Sequence, residues 1–159
     1  HDEYAKYIED GEANARNLTR IQKKFNGATK FLPKPVLKQE TNASSIGLIY
    51  FGSTEAAMQE SLDQLSASGH PIDAMRIRAF PFDLEIWNFI NEHESIFLVE
   101  QNRDAQMKTL LIAEGKINPR KILSVLCFDG APITAKFITD SIIDTLASDQ
   151  LLLTAEDLK

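Results

Sequence analysis

Between residues 46 and 148, short apolar runs alternate with longer stretches whose apolar residues recur at helical spacing. The runs IGLIYF (46–51), IDAMRIRAF (72–80), SIFLVEQ (95–101) and KILSVLCF (121–128) read as strands. After each comes one apolar stripe of a helix: Met58, Leu62 and Leu65; Leu84, Trp87 and Ile90; Met107, Leu110 and Leu111; Ala135, Ile138, Ile142 and Leu146. Gly69 is placed to stop the first of these helices. In the second run, Ile72, Ala74, Arg76 and Arg78 alternate with Asp73, Met75, Ile77 and Ala79, which predicts a strand near a sheet edge. Strands alternating with helices predict a three-layer α/β/α fold, its sheet mostly parallel and covered on both faces.

The first 45 residues follow another pattern. HDEYAKYIEDG (1–11) has no sustained period and reads as a loop. Over 13–31 the spacing predicts an accessory helix, with Leu18, Ile21, Phe25 and Ala28 on one face. LPKPVLKQETNASS (32–45) reads as an extended linker, because each proline removes a donor and turns its predecessor away from helix. Residues 1–45 are therefore expected to be an interdomain segment, 46–147 the α/β domain and 148–159 a tail. A chain that begins at His1 rather than Met is expected to be a fragment or a processed product.

Composition narrows the function classes. Hydrophobic residues at 43% suffice for a real core, and the net charge of −6 argues against nucleic acid or anionic membrane as partners. From Glu12 to Lys38, however, seven basic residues stand against Glu12 alone, a net of +6 that leaves −12 for the remainder. Such an arm suits an acidic surface, its own or a partner's, or is simply a solvated helix. No apolar run is long enough to span a bilayer, no secretory signal is visible, and the lone Cys127 has no internal partner. A reducing cytoplasm is the expected compartment.

Ligands of parallel α/β folds gather beyond the carboxyl ends of the strands. Here those ends carry Gly52-Ser53-Thr54, Phe80-Pro81-Phe82, Glu100-Gln101-Asn102 and Asp129-Gly130. Gly52 permits a tight turn, after which Ser53 or Thr54 would cap the next helix, or its free amides would bind a small anion or nucleotide. There is neither a GxGxxG nor a P-loop lysine to favour the second option. Asp129-Gly130 reads as a turn, Pro132 as a helix start and Thr134 as a cap. Glu100 has no histidine, nucleophile or second acid beside it, and His1, His70 and His93 lack metal-ligand spacing. Cys127 reads as a small core hydrophobe. A phosphorylatable receiver domain would need an acidic pair after the first strand, where Gly52-Ser53 stands instead. Glu100, Gln101, Asn102 and Gln106 are expected to form a hydrogen-bonded cluster that meets another domain or subunit, with Asp129 and Gly130 on the adjacent loop. Replacing Glu100 by alanine would then weaken assembly and leave the domain folded.

HDEY, RIQKKF, IYFGSTEAAMQESLDQL, MRIRAFPF, VEQNRDAQ and FDGAPITA stand in an order and spacing that resemble the alpha subunit of 2-oxoacid:ferredoxin oxidoreductases, the 2-oxoglutarate type most of all. The resemblance covers nearly the whole chain. It implies a domain like the carboxy-terminal domain of transketolase, together with the segment leading into it. It also implies an enzyme that decarboxylates a 2-oxoacid, passes electrons through an iron–sulfur cluster to ferredoxin and forms an acyl-CoA. Thiamine diphosphate, magnesium, the cluster and coenzyme A would then be held largely outside this chain. The implied neighbours are the amino-terminal domain of the same subunit and a beta subunit carrying the thiamine site. Two positions depart from the family pattern: Ala5 and Ala105 stand where glycine is common.

Overall fold

A computed structural model describes residues 1–2, 4–38 and 44–156, with side chains to 148. Glu3 of HDEY, residues 39–43 of the proline-containing segment and 157–159 of the tail lie outside the described residues. The chain forms two compact units, residues 1–34 with 79–83 and residues 35–78 with 84–159.

The smaller unit is built on α1 (Gly11–Gly27), which starts two residues earlier than the periodicity predicts and is continued by a short 3-10 turn, Ala28–Lys30. Asp10 sets that start, its carboxylate accepting the Glu12 amide at 3.0 Å. The apolar stripe is only half used. Leu18, Ile21 and Phe25 are 59%, 49% and 43% exposed. The Phe25 and Phe80 rings pack tilted at 5.5 Å between centroids, and Phe80 meets Phe82 edge to face at 5.0 Å. Lys34 pairs with Asp83 at 2.7 Å.

The larger unit is the expected α/β domain. Its strands are β1 (Val36–Lys38), β2 (Ile46–Phe51), β3 (Asp73–Ile77), β4 (Ser95–Glu100) and β5 (Ile122–Leu126), arranged β1-β3-β2-β4-β5. All neighbours run parallel except β1, which is antiparallel to β3 with Leu37 opposite Met75. The helices are α2 (Glu55–Ala67), α3 (Leu84–Glu92), α4 (Gln106–Gly115) and α5 (Ala135–Glu156).

Period-2 alternation in buried strands sends successive side chains to opposite faces. Leu48, Tyr50, Phe97, Val99 and Ala74 join Met58, Leu62 and Leu65 of α2 and Ile138 and Ile142 of α5 in one core. On the other face Ile49, Leu98 and Ile96 are buried with Ile86, Phe89 and Ile90 of α3 and Leu111 of α4. Gly47 is required there: a Cβ at this position would lie 2.7 Å from Ile96 and 2.8 Å from the Phe89 ring. Among the described residues no helix is long and apolar enough to cross a membrane.

Some expectations need correction. Residues 36–38 lie in the stretch read as linker, yet they are a strand, because three residues just after Pro35 carry no periodic signal and gain order only by pairing with β3. β1 is the edge strand of the sheet and β3 lies next to it, near the edge as expected. The mixed polarity of β3 has a further use. Arg76 meets Glu55 at 3.4 Å, and Lys38 of β1 meets the same carboxylate at 3.7 Å. Asp73, at the start of the strand, faces Nε2 of His93 at 3.3 Å, and both side chains are buried. Furthermore, α5 runs on through residues assigned to a tail, to Glu156.

Candidate functional site

From β2 the chain passes through α2 to β3 on one side of the sheet; from β4 it passes through α4 to β5 on the other. The order therefore reverses between β2 and β4, which is where a parallel sheet opens a crevice at its carboxyl end. A cleft of about 420 Å³ occupies that position. It is lined by Phe51, Gly52, Ser53 and Thr54 from the β2–α2 turn and by Gln101, Asn102, Gln106, Met107 and Leu110 from the β4–α4 connection.

Glu100 sits behind this cleft rather than in it, fully buried. One carboxylate oxygen accepts the Met107 amide at 2.8 Å and the Asn102 side-chain amide at 2.9 Å; the other accepts the Lys108 amide at 3.0 Å. Asn102 Oδ1 takes the Gln106 amide at 3.2 Å and the Asp104 amide at 3.1 Å. The first three amides of α4 are therefore all bound by side chains, and a carboxylate at a helix start also suits the helix dipole. Ala105 precedes that turn with φ +49°, a left-handed conformation, and Ala5 holds φ +64°. Both alanines thus hold a left-handed backbone of the kind glycine adopts most readily.

Gln101 turns the other way. Its side-chain nitrogen donates to Ser53 Oγ at 2.9 Å and to Thr54 Oγ1 at 3.2 Å, joining the two lips of the cleft. This overturns the capping role expected of the two hydroxyls, neither of which binds an amide of α2. Gly52 does make the tight turn, at φ +62°. Gln106 lines the cleft from the exposed first position of α4, and its carboxamide makes no hydrogen bond with any described residue. The polar quartet is thus divided: Glu100 and Asn102 hold the helix, Gln101 bridges the turns, and Gln106 is free.

Asp129 and Gly130 lie outside the cleft. Asp129 accepts the Ala131 amide at 2.9 Å and lies 3.8 Å from the Cys127 thiol; Gly130 has φ +86°. Burial pushes that thiol's pKa up, and the Asp129 charge adds to it. Thr134 accepts the Phe137 amide at 3.2 Å and so caps α5, while Pro132 falls three residues before the helix. The sequence reading missed the His93–Asp73 pair, which lies 20 residues apart along the chain and carries no local spacing. His93 Nδ1 also approaches the Phe89 carbonyl at 2.7 Å, so the ring ties the end of α3 to β3.

Among the described residues the cleft wall has hydroxyls and carboxamides but no histidine, lysine, arginine or carboxylate. A hydroxyl without a base is not an activated nucleophile. Among the described residues no three His, Cys, Asp or Glu side chains are placed to share a metal ion. The arrangement can make neutral hydrogen bonds over an apolar floor of Phe51, Met107 and Leu110.

No family model matches the sequence. The 2-oxoacid:ferredoxin oxidoreductase 2, subunit alpha, of Aeropyrum pernix is 30% identical over 138 residues, 84% of this chain and 21% of that protein. The chain therefore spans about a fifth of the length of the curated relative it matches. Among solved structures, the 2-oxoglutarate:ferredoxin oxidoreductase from Magnetococcus marinus, with 2-oxoglutarate, coenzyme A and succinyl-CoA bound, has a TM-score of 0.78 at 20% identity. That match covers 91% of this chain and 25% of the other. A split-gene transketolase, an inactive beta4 tetramer, has a TM-score of 0.57 at 13% identity over 72% of this chain and 42% of its own. These two likenesses are of fold. Together with the Aeropyrum relative they bear out the resemblance to the alpha subunit of 2-oxoacid:ferredoxin oxidoreductases and the transketolase-like fold.

Proposed function

We propose that this chain is the transketolase C-terminal-like domain, with its leading segment, of the alpha subunit of a thiamine-diphosphate-dependent 2-oxoacid:ferredoxin oxidoreductase, and that it supplies assembly surface rather than reacting groups. The observation that carries this is the likeness to the Aeropyrum subunit over 84% of the chain. In the whole enzyme a 2-oxoacid, which we take to be 2-oxoglutarate, loses carbon dioxide. Its acyl group passes to coenzyme A, and two electrons leave through an iron–sulfur cluster to ferredoxin. The amino-terminal domain of the same subunit and the beta subunit are the proposed neighbours, in the cytoplasm.

The donor set supports placing thiamine diphosphate and magnesium elsewhere in the complex. A magnesium-bound diphosphate needs hard oxygen ligands such as carboxylates, and among the described residues the cleft wall has none. Of the acids next to it in sequence, Glu100 is fully engaged by three N–H donors, and Glu55 pairs with Arg76 and Lys38. The small-anion reading of Gly52 to Thr54 has no cationic side chain to support it.

The test compares the isolated chain with the complete complex. The complex should reduce ferredoxin when given 2-oxoglutarate and coenzyme A, and the chain alone should neither do so nor bind thiamine diphosphate in titration calorimetry. Turnover by the chain alone would refute the division of labour. A complete complex inactive on every 2-oxoacid would refute the enzyme assignment. Calorimetry of the chain with nucleotides and acyl-CoA compounds should show no micromolar binding lost on changing Ser53 and Thr54.

A further inference from the structure

The cleft between β2 and β4 has unused hydrogen-bonding groups, and their pattern selects an occupant. Gln101 spends its donors on Ser53 and Thr54, so its Oε1 remains available as an acceptor. Each hydroxyl, having accepted from Gln101, keeps its proton to give. The Gln106 carboxamide has both its donors and its acceptor free among the described residues. A paired donor and acceptor on a planar amide complements another amide. It does not complement an anion, which offers acceptors alone.

Electrostatics agrees. Among the described residues no cation lines the cleft, and the buried Glu100 carboxylate stands directly behind it. The first amides of α4, which would otherwise attract a phosphate, are already bound by Glu100 and Asn102. Phe51, Met107 and Leu110 give the cleft apolar lining on which an apolar side chain can rest.

We propose that this cleft seats an uncharged, extended peptide segment from another part of the assembled enzyme, its main-chain amides paired with Gln101 and Gln106 and one apolar side chain resting on Phe51, Met107 and Leu110. The proposal rests on the reading of this chain as one domain of a larger complex. The Aeropyrum relative, four-fifths of which lies outside the matched region, shows how much polypeptide is available to supply such a segment.

The experiment places a photo-crosslinking amino acid at Gln106 in the full-length alpha subunit, assembled with its partner subunits. A control places it at Asp140, an exposed position on α5. The Gln106 probe should join one peptide of the enzyme outside residues 1–159, with no charged side chain at the joined positions, and in yield well above the control. Changing Gln101 to Leu should reduce that yield towards the control. Yield no higher than at Asp140, a joined peptide with a charged side chain at its centre, or loss of the crosslink in millimolar inorganic phosphate would each overturn the proposal. The same preparation is assayed for 2-oxoacid-dependent ferredoxin reduction, which separates the two readings. An active enzyme without the crosslink sinks the peptide seat alone, and a crosslinked but inactive one sinks only the enzyme assignment.

Discussion

Glu100 shows how one carboxylate can look functional in sequence and turn out to hold a helix. A carboxylate accepting two backbone amides and a carboxamide, fully buried, is committed to structure. The expectation that Glu100→Ala would leave the domain folded while assembly weakens is therefore replaced. The substitution should destabilise the domain by at least about 1.5–3 kcal/mol, the range for one hydrogen bond to a charged acceptor, since three donors lose theirs. Glu100→Gln, which keeps one acceptor, should lose less. Urea unfolding of the two variants checks the order; an alanine variant as stable as the parent would return Glu100 to the interface. Five residues on, Ala105 holds φ +49° with a Cβ that crowds its own backbone. Left-handed backbone costs an L-residue about 1–2 kcal/mol, and glycine in turn loses about 0.5–1 kcal/mol of chain entropy. Ala105→Gly should accordingly stabilise the domain by up to about 1 kcal/mol, visible as a higher urea midpoint with an unchanged slope.

At the scale of elements, legibility followed the range of the interaction that forms each one. Helices α2 and α5 announce themselves because their stripes bury locally against a sheet of apolar runs. In α3 the expected stripe is Leu84, Trp87 and Ile90, whereas the helix buries Ile86, Phe89 and Ile90 and leaves Leu84 exposed. β1 does not, because its three residues become a strand only by pairing with residues 74–76. The cleft was legible in half: strand ends gave Gly52, Ser53, Thr54, Gln101 and Asn102, and helical phase gave Gln106. That Gln101 would reach across to Ser53 depends on β2 and β4 being neighbours, which no local pattern states. The Lys38–Glu55–Arg76 group is long-range in the same sense, and it fastens β1 and β3 to the start of α2. Its side chains are about a third exposed, so screening keeps each pair near the range of surface ion pairs, about 0.2–1 kcal/mol. A double-mutant cycle with Glu55→Gln and Arg76→Gln should return a coupling in that range that shrinks as salt is added. A coupling indifferent to salt would mean that packing, not charge, joins the two.

At the scale of the whole molecule, stability against pH has an alkaline limit set in the core. Tyr50 is fully buried in the face shared by α2 and α5, with its hydroxyl beside Glu55. Burial raises its pKa well above the ordinary value near 10, the Glu55 carboxylate raises it further, and Arg76 opposes both only in part. A raised folded value means that the fold favours the neutral phenol. The stabilisation is complete below the unfolded value near 10 and is lost as pH rises towards the folded one. Tyr4 and Tyr7 are both exposed; the Tyr7 pKa is also raised, by its hydrogen bond to Glu9. Of the three tyrosines, then, Tyr50 should be the one whose phenolate absorbance appears only as the domain unfolds. Comparison with Tyr50→Phe isolates the group, because lysines titrating in the same range are common to both proteins. Between about pH 9 and 11 the parent should lose stability more steeply than the phenylalanine variant. Equal slopes for the two in urea unfolding would show that another group sets the alkaline limit.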